Sequence, residues 1–182
     1  MSKIGRKPID VANVQVDVKG AVVNFKGPKS SGSYTLPEQL QAKLANNTLT
    51  LTPKDGESKI RQREINREWG LHRALLANQL SGAKKEFERQ VDIVGLGYKA
   101  VLAGNKLTFT IGFSHKIDFA LPKAVSVTID KTGQKLNFLS SNNELLGLIC
   151  TKICALRRPE PYKGTGIKLS TEYVVRKAAK GK

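Results

Sequence analysis

Leu121-Pro122 stands between two stretches that alternate apolar and polar residues, Lys116–Ala120 and Val125–Ile129, and it repeats Leu36-Pro37, 85 residues earlier. Proline lacks a backbone N–H and holds the residue before it in extended conformation, so each step closes a strand. A strand-closing signal that recurs at such a distance raises the question of whether the whole chain is built twice.

Working outward from Leu121-Pro122, the second half reads as strands and then one helix. Gln90–Val94 and Tyr98–Ala103 are strands, and Gly104-Asn105 turns the chain. Lys106–Ile111 follows with Leu107, Phe109 and Ile111 on one face. Gly112-Phe-Ser-His115 is a turn into Lys116–Ala120. Val125–Ile129 and Leu136–Leu139 complete the strands. A helix is expected from Asn142 to Arg157, with Leu145, Leu146, Ile149, Ile153 and Leu156 as its apolar stripe. Ser141 and Glu144 have capping-box spacing, and Pro159 forbids continuation.

The first half has the same order. Val14–Val18 alternates, Lys19-Gly20 turns, and Ala21–Lys26 resumes. Gly27-Pro-Lys-Ser-Ser-Gly32 is a loop. Ser33–Leu36 is extended, and Thr48–Thr52 alternates again. A helix is expected from about Arg67 to Lys85, carrying Trp69, Leu76 and Leu80 at helical spacing. Runs of strands capped by one helix make an α+β layer structure. The expected fold is therefore two similar α+β domains, 1–86 and 87–182. Each is a small, mainly antiparallel sheet packed on one helix, with a basic C-terminal tail over 157–182.

Charge narrows the function. The chain has 182 residues, 31 Lys and Arg, and 15 Asp and Glu, for a net charge of +16. A compact body so charged repels itself unless a polyanion neutralises it. Nucleic acid does this by releasing counterions from its phosphates. An anionic membrane would call for a lipid anchor, a basic amphipathic helix or an apolar run of about 18 residues, and the sequence offers no anchor motif or such run. Without a signal peptide the chain reads as cytosolic. Residues 157–182 carry eight basic residues against two acidic ones, while 91–150 carry six against four. Such concentration is expected of a binding footprint.

Other chemistries fit poorly. Asp92-Ile-Val-Gly95-Leu-Gly97-Tyr-Lys-Ala100 has a dinucleotide-like glycine spacing, but the following piece is a strand, with no room for the phosphate-binding helix. A glycine bend that displays Tyr98 and Lys99 is the better reading. Ser114 and His115 are adjacent, so a strand sends them to opposite faces, and no third group orients the histidine. His115 reads as a turn residue able to donate to phosphate. The carboxylates form no acid-base pair, and no enzyme is expected. Cys150 and Cys154 read as small packing residues, since too few further ligands lie nearby for a metal. No cofactor, metal or small-molecule substrate is expected.

The most informative segment is Arg157-Arg-Pro-Glu-Pro-Tyr162-Lys-Gly164-Thr-Gly166-Ile-Lys168. Two prolines stiffen it before Tyr162, and two glycines then permit close approach or positive φ. This mix of rigidity, permissiveness and spaced charge suits a shaped contact with phosphates and sugars. Tyr162 is placed either to stack on a base or to pack against its own domain.

Pro159-Glu-Pro-Tyr-Lys-Gly164-Thr-Gly-Ile167 closely resembles the C-terminal signature of the bacterial large-subunit ribosomal protein L-six family. Ser2-Lys-Ile-Gly-Arg-Lys-Pro-Ile9, Trp69-Gly-Leu-His-Arg-Ala-Leu-Leu76, Val94-Gly-Leu-Gly-Tyr-Lys-Ala100 and Gly112-Phe-Ser-His-Lys116 are similar to further segments of it. The resemblance implies two duplicated α+β domains. It also implies binding to large-subunit (23S) ribosomal RNA near the stalk base and the sarcin–ricin loop. Neighbouring large-subunit proteins would surround the chain and translation factors would dock nearby. Carried over by position, RNA contact falls on Arg157, Arg158, Tyr162, Lys163, Gly164, Lys168, Arg176 and Lys177, with Tyr98, Lys99, His115 and Lys116 as outer candidates. The chain departs from the family pattern at Val11-Ala12, in the Gly27–Gly32 loop, at Asn143-Glu144, and at Cys150 and Cys154.

Overall fold

The computed structural model describes residues 2–45, 47–54 and 59–178. The chain divides into two compact units, Met1–Glu86 and Phe87–Lys182.

The first unit has β1 (Ile9–Asp10), β2 (Gln15–Lys19), β3 (Val22–Lys26), β4 (Ser31–Thr35), β5 (Leu40–Ala45), β6 (Thr48–Pro53) and α1 (Lys59–Lys84). Two three-stranded antiparallel sheets form, ordered β2-β3-β4 and β1-β6-β5. Alternation explains them: Val23 and Phe25 of β3 are buried, as are Leu49 and Leu51 of β6, while their neighbours face outward. The helix covers β6 and β3. Its Ile65, Trp69, Leu76, Leu80 and Ala83 follow the helical period and enter the core. The indole N–H of Trp69 donates to the Leu51 carbonyl at 2.8 Å, so the one polar atom of that ring is satisfied inside. Gly5 lies against the same ring, and a Cβ there would fall 2.5 Å from it.

The second unit has β7 (Phe87–Val94), β8 (Lys99–Ala103), β9 (Lys106–Thr110), β10 (Ile117–Ala120), β11 (Ser126–Ile129), β12 (Lys135–Ser140), α2 (Asn143–Leu156) and β13 (Gly166–Leu169). Its antiparallel sheets are β10-β9-β8 and β11-β12-β7-β13. The three-stranded sheet repeats β4-β3-β2. The order β11-β12-β7 repeats β5-β6-β1, strand for strand. The two Leu-Pro steps occupy equivalent places. Leu36 N–H donates to Ala21 O at 2.7 Å and Leu121 N–H to Asn105 O at 2.9 Å. Leu40 N–H donates to Pro37 O and Val125 N–H to Pro122 O. The duplicated α+β plan is thus visible in topology and in hydrogen bonding.

Several readings from sequence change. The first helix begins at Lys59, well before Arg67, because Lys59–Asn66 has too few apolar residues to show a period. The short edge strand β1 and the strand β5 went unread. The cap of α2 is Asn142 rather than Ser141: its side-chain oxygen accepts from Glu144 and Leu145 N–H. Ser140, buried, accepts from the N–H of Asn142 instead.

The largest change concerns the supposed tail. Gly166–Leu169 is a strand on the edge of the main sheet, paired antiparallel with β7 from Gly166↔Val94 to Leu169↔Val91. Ile167 is fully buried among Val91, Ile93, Leu136, Phe138 and the α2 residues Leu146, Ile149 and Ile153. So Gly166–Leu169 belongs to the main sheet and its Ile167 to the core, and the chain beyond the sheet begins at Ser170. Lys180 and Lys182 lie outside the described residues.

Candidate nucleic-acid interface

The site is built around the end of α2. Arg157 follows the helix in extended conformation. Its guanidinium Nη1 donates to Ile111 O at 2.7 Å. The same group lies 5.3 Å from the centre of the Tyr98 ring and 5.1 Å from that of Phe113. Phe113 in turn stacks with His115, at 6.1 Å and an interplanar angle of 21°. One cation thus joins the Gly95–Tyr98 bend and the Gly112–His115 turn, using a charged hydrogen bond and two ring faces. The glycines make this possible. Gly112 has φ +77°, and a Cβ on it would meet the Tyr98 hydroxyl at 2.7 Å and Arg157 Nη1 at 3.1 Å. Gly95 leaves the room in which the Tyr98 ring sits.

Two sequence assignments shift with this geometry. Arg157 does not present an open cation; its guanidinium is engaged by the protein. Tyr98 is half-buried against the core rather than displayed. Lys99, His115 and Lys116 are exposed around these bends, as the bends require. The glycine-spaced segment runs straight into β8, so the dinucleotide arrangement is absent here.

Beyond Arg157 the chain forms a strap whose backbone is tied at each end. Ile167 N–H donates to Arg157 O, Glu160 N–H to Thr165 O, and Gly164 N–H to Glu160 O. Gly166, at φ +147°, passes so close to Pro159 that a Cβ would lie 2.6 Å from its Cα. The strap therefore holds Arg158, Tyr162 and Lys163 outward on an ordered turn. Tyr162 is 55% exposed and contributes little to the core.

The segment after β13 returns to this strap. Lys177 N–H donates to Pro161 O at 2.9 Å. Arg176 lies over Gly164, its Nε 3.0 Å from where a Cβ would stand. Gly164 is buried and has φ +71°, so its role is to give the guanidinium room rather than to touch RNA through a side chain. Lys168 Nζ donates weakly to Glu172 O at 3.5 Å. Lys168 and Arg176 share the walls of a cavity of about 360 Å³. Among the described residues neither of these two cations makes an ion pair. Lys99 faces a separate groove, with Lys131.

Sequence reading missed Phe113 and Tyr173. Phe113 could have been found from its place in the Gly-Phe-Ser-His turn. Tyr173 is the one aromatic residue of the run that follows Leu169, and that was its signal. The two cysteines are free, and burial raises both thiols, that of Cys154 to about 11. No metal-binding cluster occurs among the described residues.

Fold and surface together define a duplicated α+β scaffold with a cationic face on its second unit. A model of the family Ribosomal protein L6 matches residues 12–86 and again 94–169, once in each unit. The chain is similar throughout to proteins called Large ribosomal subunit protein uL6. Identity to that of Synechocystis sp. is 40% over 181 residues, covering 99% of this chain and 98% of the relative. Identity to that of Roseobacter denitrificans is 34% over 183 residues and the full length of both. That of Desulfatibacillum aliphaticivorans is 38% identical over 181 residues, with 99% and 98% covered. The chain belongs to the ribosomal protein L6 family, structural and non-catalytic constituents of the large ribosomal subunit.

Proposed function

We propose that the chain binds large-subunit ribosomal RNA chiefly through its second unit, near the stalk base and sarcin–ricin loop. There it would brace the region where translation factors dock, beside neighbouring large-subunit proteins. The observation that carries the binding face is the strap: Arg158, Lys163, Lys168, Arg176 and Lys177 are brought onto ordered backbone around Gly164, without an ion pair among the described residues. Cations fixed in this way position phosphates without reading sequence. Selectivity then comes from the shape of the folded RNA and its 2′-hydroxyls. Lys99, His115 and Lys116 extend the face from the bends that Arg157 joins. The location near the stalk base rests on the family resemblance.

The test is a salt titration of binding to large-subunit RNA. Lys163→Ala with Lys168→Ala should weaken binding and lower the slope of log K against log salt by roughly 0.7–0.9 for each phosphate no longer neutralised. An unchanged slope would remove the strap from the interface. Crosslinks from Lys163 and Lys168 in assembled subunits would then name the RNA segment, and crosslinks far from the stalk base would overturn the location.

A further inference from the structure

The cavity beside the strap has a composition that a plain phosphate-binding surface does not need. It is lined by Val94 at the end of β7, Gly164, Lys168 and the run Tyr173–Arg176. Tyr173 is 87% exposed and its hydroxyl makes no hydrogen bond among the described residues. Such a ring adds almost nothing to folding, since burial is what makes an aromatic side chain stabilising. Beside it stand the two cations. The Arg176 guanidinium makes no hydrogen bond among the described residues, and the Lys168 ammonium makes only the long one to Glu172 O. The Glu172 carboxylate is not among the cavity walls, and it lies close enough to Cys154 to help raise that thiol.

A paired RNA stem offers its phosphates on the outside and keeps its bases stacked within. Surface lysines are enough to hold it, and a concave site with an open aromatic face would go unused. An unpaired nucleotide offers both a phosphate and a free π-face, and aromatic side chains beside cations are the usual platform for it. At about 360 Å³ the cavity is at the small end of ligand-sized sites.

We infer that this cavity receives one unpaired nucleotide of RNA, its base stacked on Tyr173 and its phosphate between Lys168 and Arg176. The inference rests on the RNA-binding reading above and adds the class of RNA element recognised.

The experiment uses the full chain and two RNAs: a fully paired hairpin stem, and the same stem with one bulged adenosine. Binding is measured by fluorescence anisotropy across a range of salt. The bulged stem should bind about tenfold more tightly, within the range that base–aromatic stacking gives. Tyr173→Ala should abolish that preference and leave the salt slope unchanged, while Tyr173→Phe should retain it. Equal binding of the two stems by the unaltered protein would overturn the inference. So would a preference that survives Tyr173→Ala. In either case salt-dependent binding of both stems would leave the broader RNA reading standing. Absence of salt-dependent binding to either RNA would bring down both.

Discussion

Arg157 shows how a residue chosen for its charge can be used for its shape. Its planar guanidinium spans Ile111 O and the faces of Tyr98 and Phe113 at once. A lysine would keep the charge but not this fork. Arg157→Ala should therefore lower unfolding stability by about 1–3 kcal/mol, from one charged hydrogen bond and two ring faces. Arg157→Lys should recover part of it in urea melts. The salt slope for RNA binding should stay unchanged in both; a slope reduced without loss of stability would show a phosphate ligand instead. Cys154 gives a second test at this scale. Desolvation, with smaller contributions from Cys150 and Glu172, raises its thiol to about 11. Between the ordinary thiol value of 9.0 and about 11 the folded chain keeps a proton that the unfolded chain releases. This contribution to stability is complete below about 9 and is lost as the pH rises toward 11. At pH near 9, native Cys154 should alkylate more slowly than the same residue in urea. Equal rates would mean that the thiol is not desolvated. Of the site, the cations and glycines were legible because charge and φ freedom belong to residue type. Arg157's partners were not, since Ile111 lies 46 residues away and only the fold joins them.

Among the elements, β13 separates what pattern can reveal from what context hides. Ile167 and Leu169 flank Lys168 in the alternation of a strand, yet two glycines, two prolines and several cations just before them signalled a loop. Position resolved the conflict: α2 and β7 leave an apolar face and an open sheet edge, and β13 fills both. The strand β5 was hidden differently. Its own alternation is weak, with Leu44 47% exposed, and its one signal is the repeat, since Leu40 falls 85 residues before Val125. The β13 placement has a practical consequence. A chain ended at Leu156 loses a core strand along with its cations, so its failure to bind RNA would say nothing about phosphates. Such a chain should expose apolar surface and bind a hydrophobic dye, whereas a chain ended at Glu172 should keep the sheet and melt cooperatively. Within the full chain, Ile167→Ala should cost about 2–5 kcal/mol, as large-to-small changes in closed cores do. A cost below about 1 kcal/mol, in the range of surface substitutions, would place Ile167 outside the core.

At the scale of the molecule, one plan occurs twice with different burdens. The units carry similar charge, 15 basic and 8 acidic residues over 1–86 against 16 and 7 over 87–182. Their sheets match strand for strand, and the second alone adds β13 and the strap that leads to it. Charge by itself therefore does not decide which unit holds RNA, and the proposal for the second unit rests on the arrangement of its cations. In the first unit basic side chains are in part turned to structure: Lys84 pairs with Asp10 at 2.8 Å, and Arg73 donates to the carbonyls of Lys7 and Pro8. Each unit also has its own core, with Leu49, Leu51 and Leu76 in one and Phe109, Phe138 and Ile153 in the other. We propose that these are two autonomous domains, 1–86 and 87–182. Expressed separately, each fragment should show one cooperative urea transition, with a slope that reflects its smaller buried surface. In the intact chain, Leu76→Ala should lower the first transition and Ile153→Ala the second, each by about 2–5 kcal/mol, leaving the other unmoved because distant sites act independently. Fragment 87–182 should retain most of the salt dependence of RNA binding. If fragment 1–86 retained it instead, despite carrying nearly the same charge, the strap would not be the principal interface.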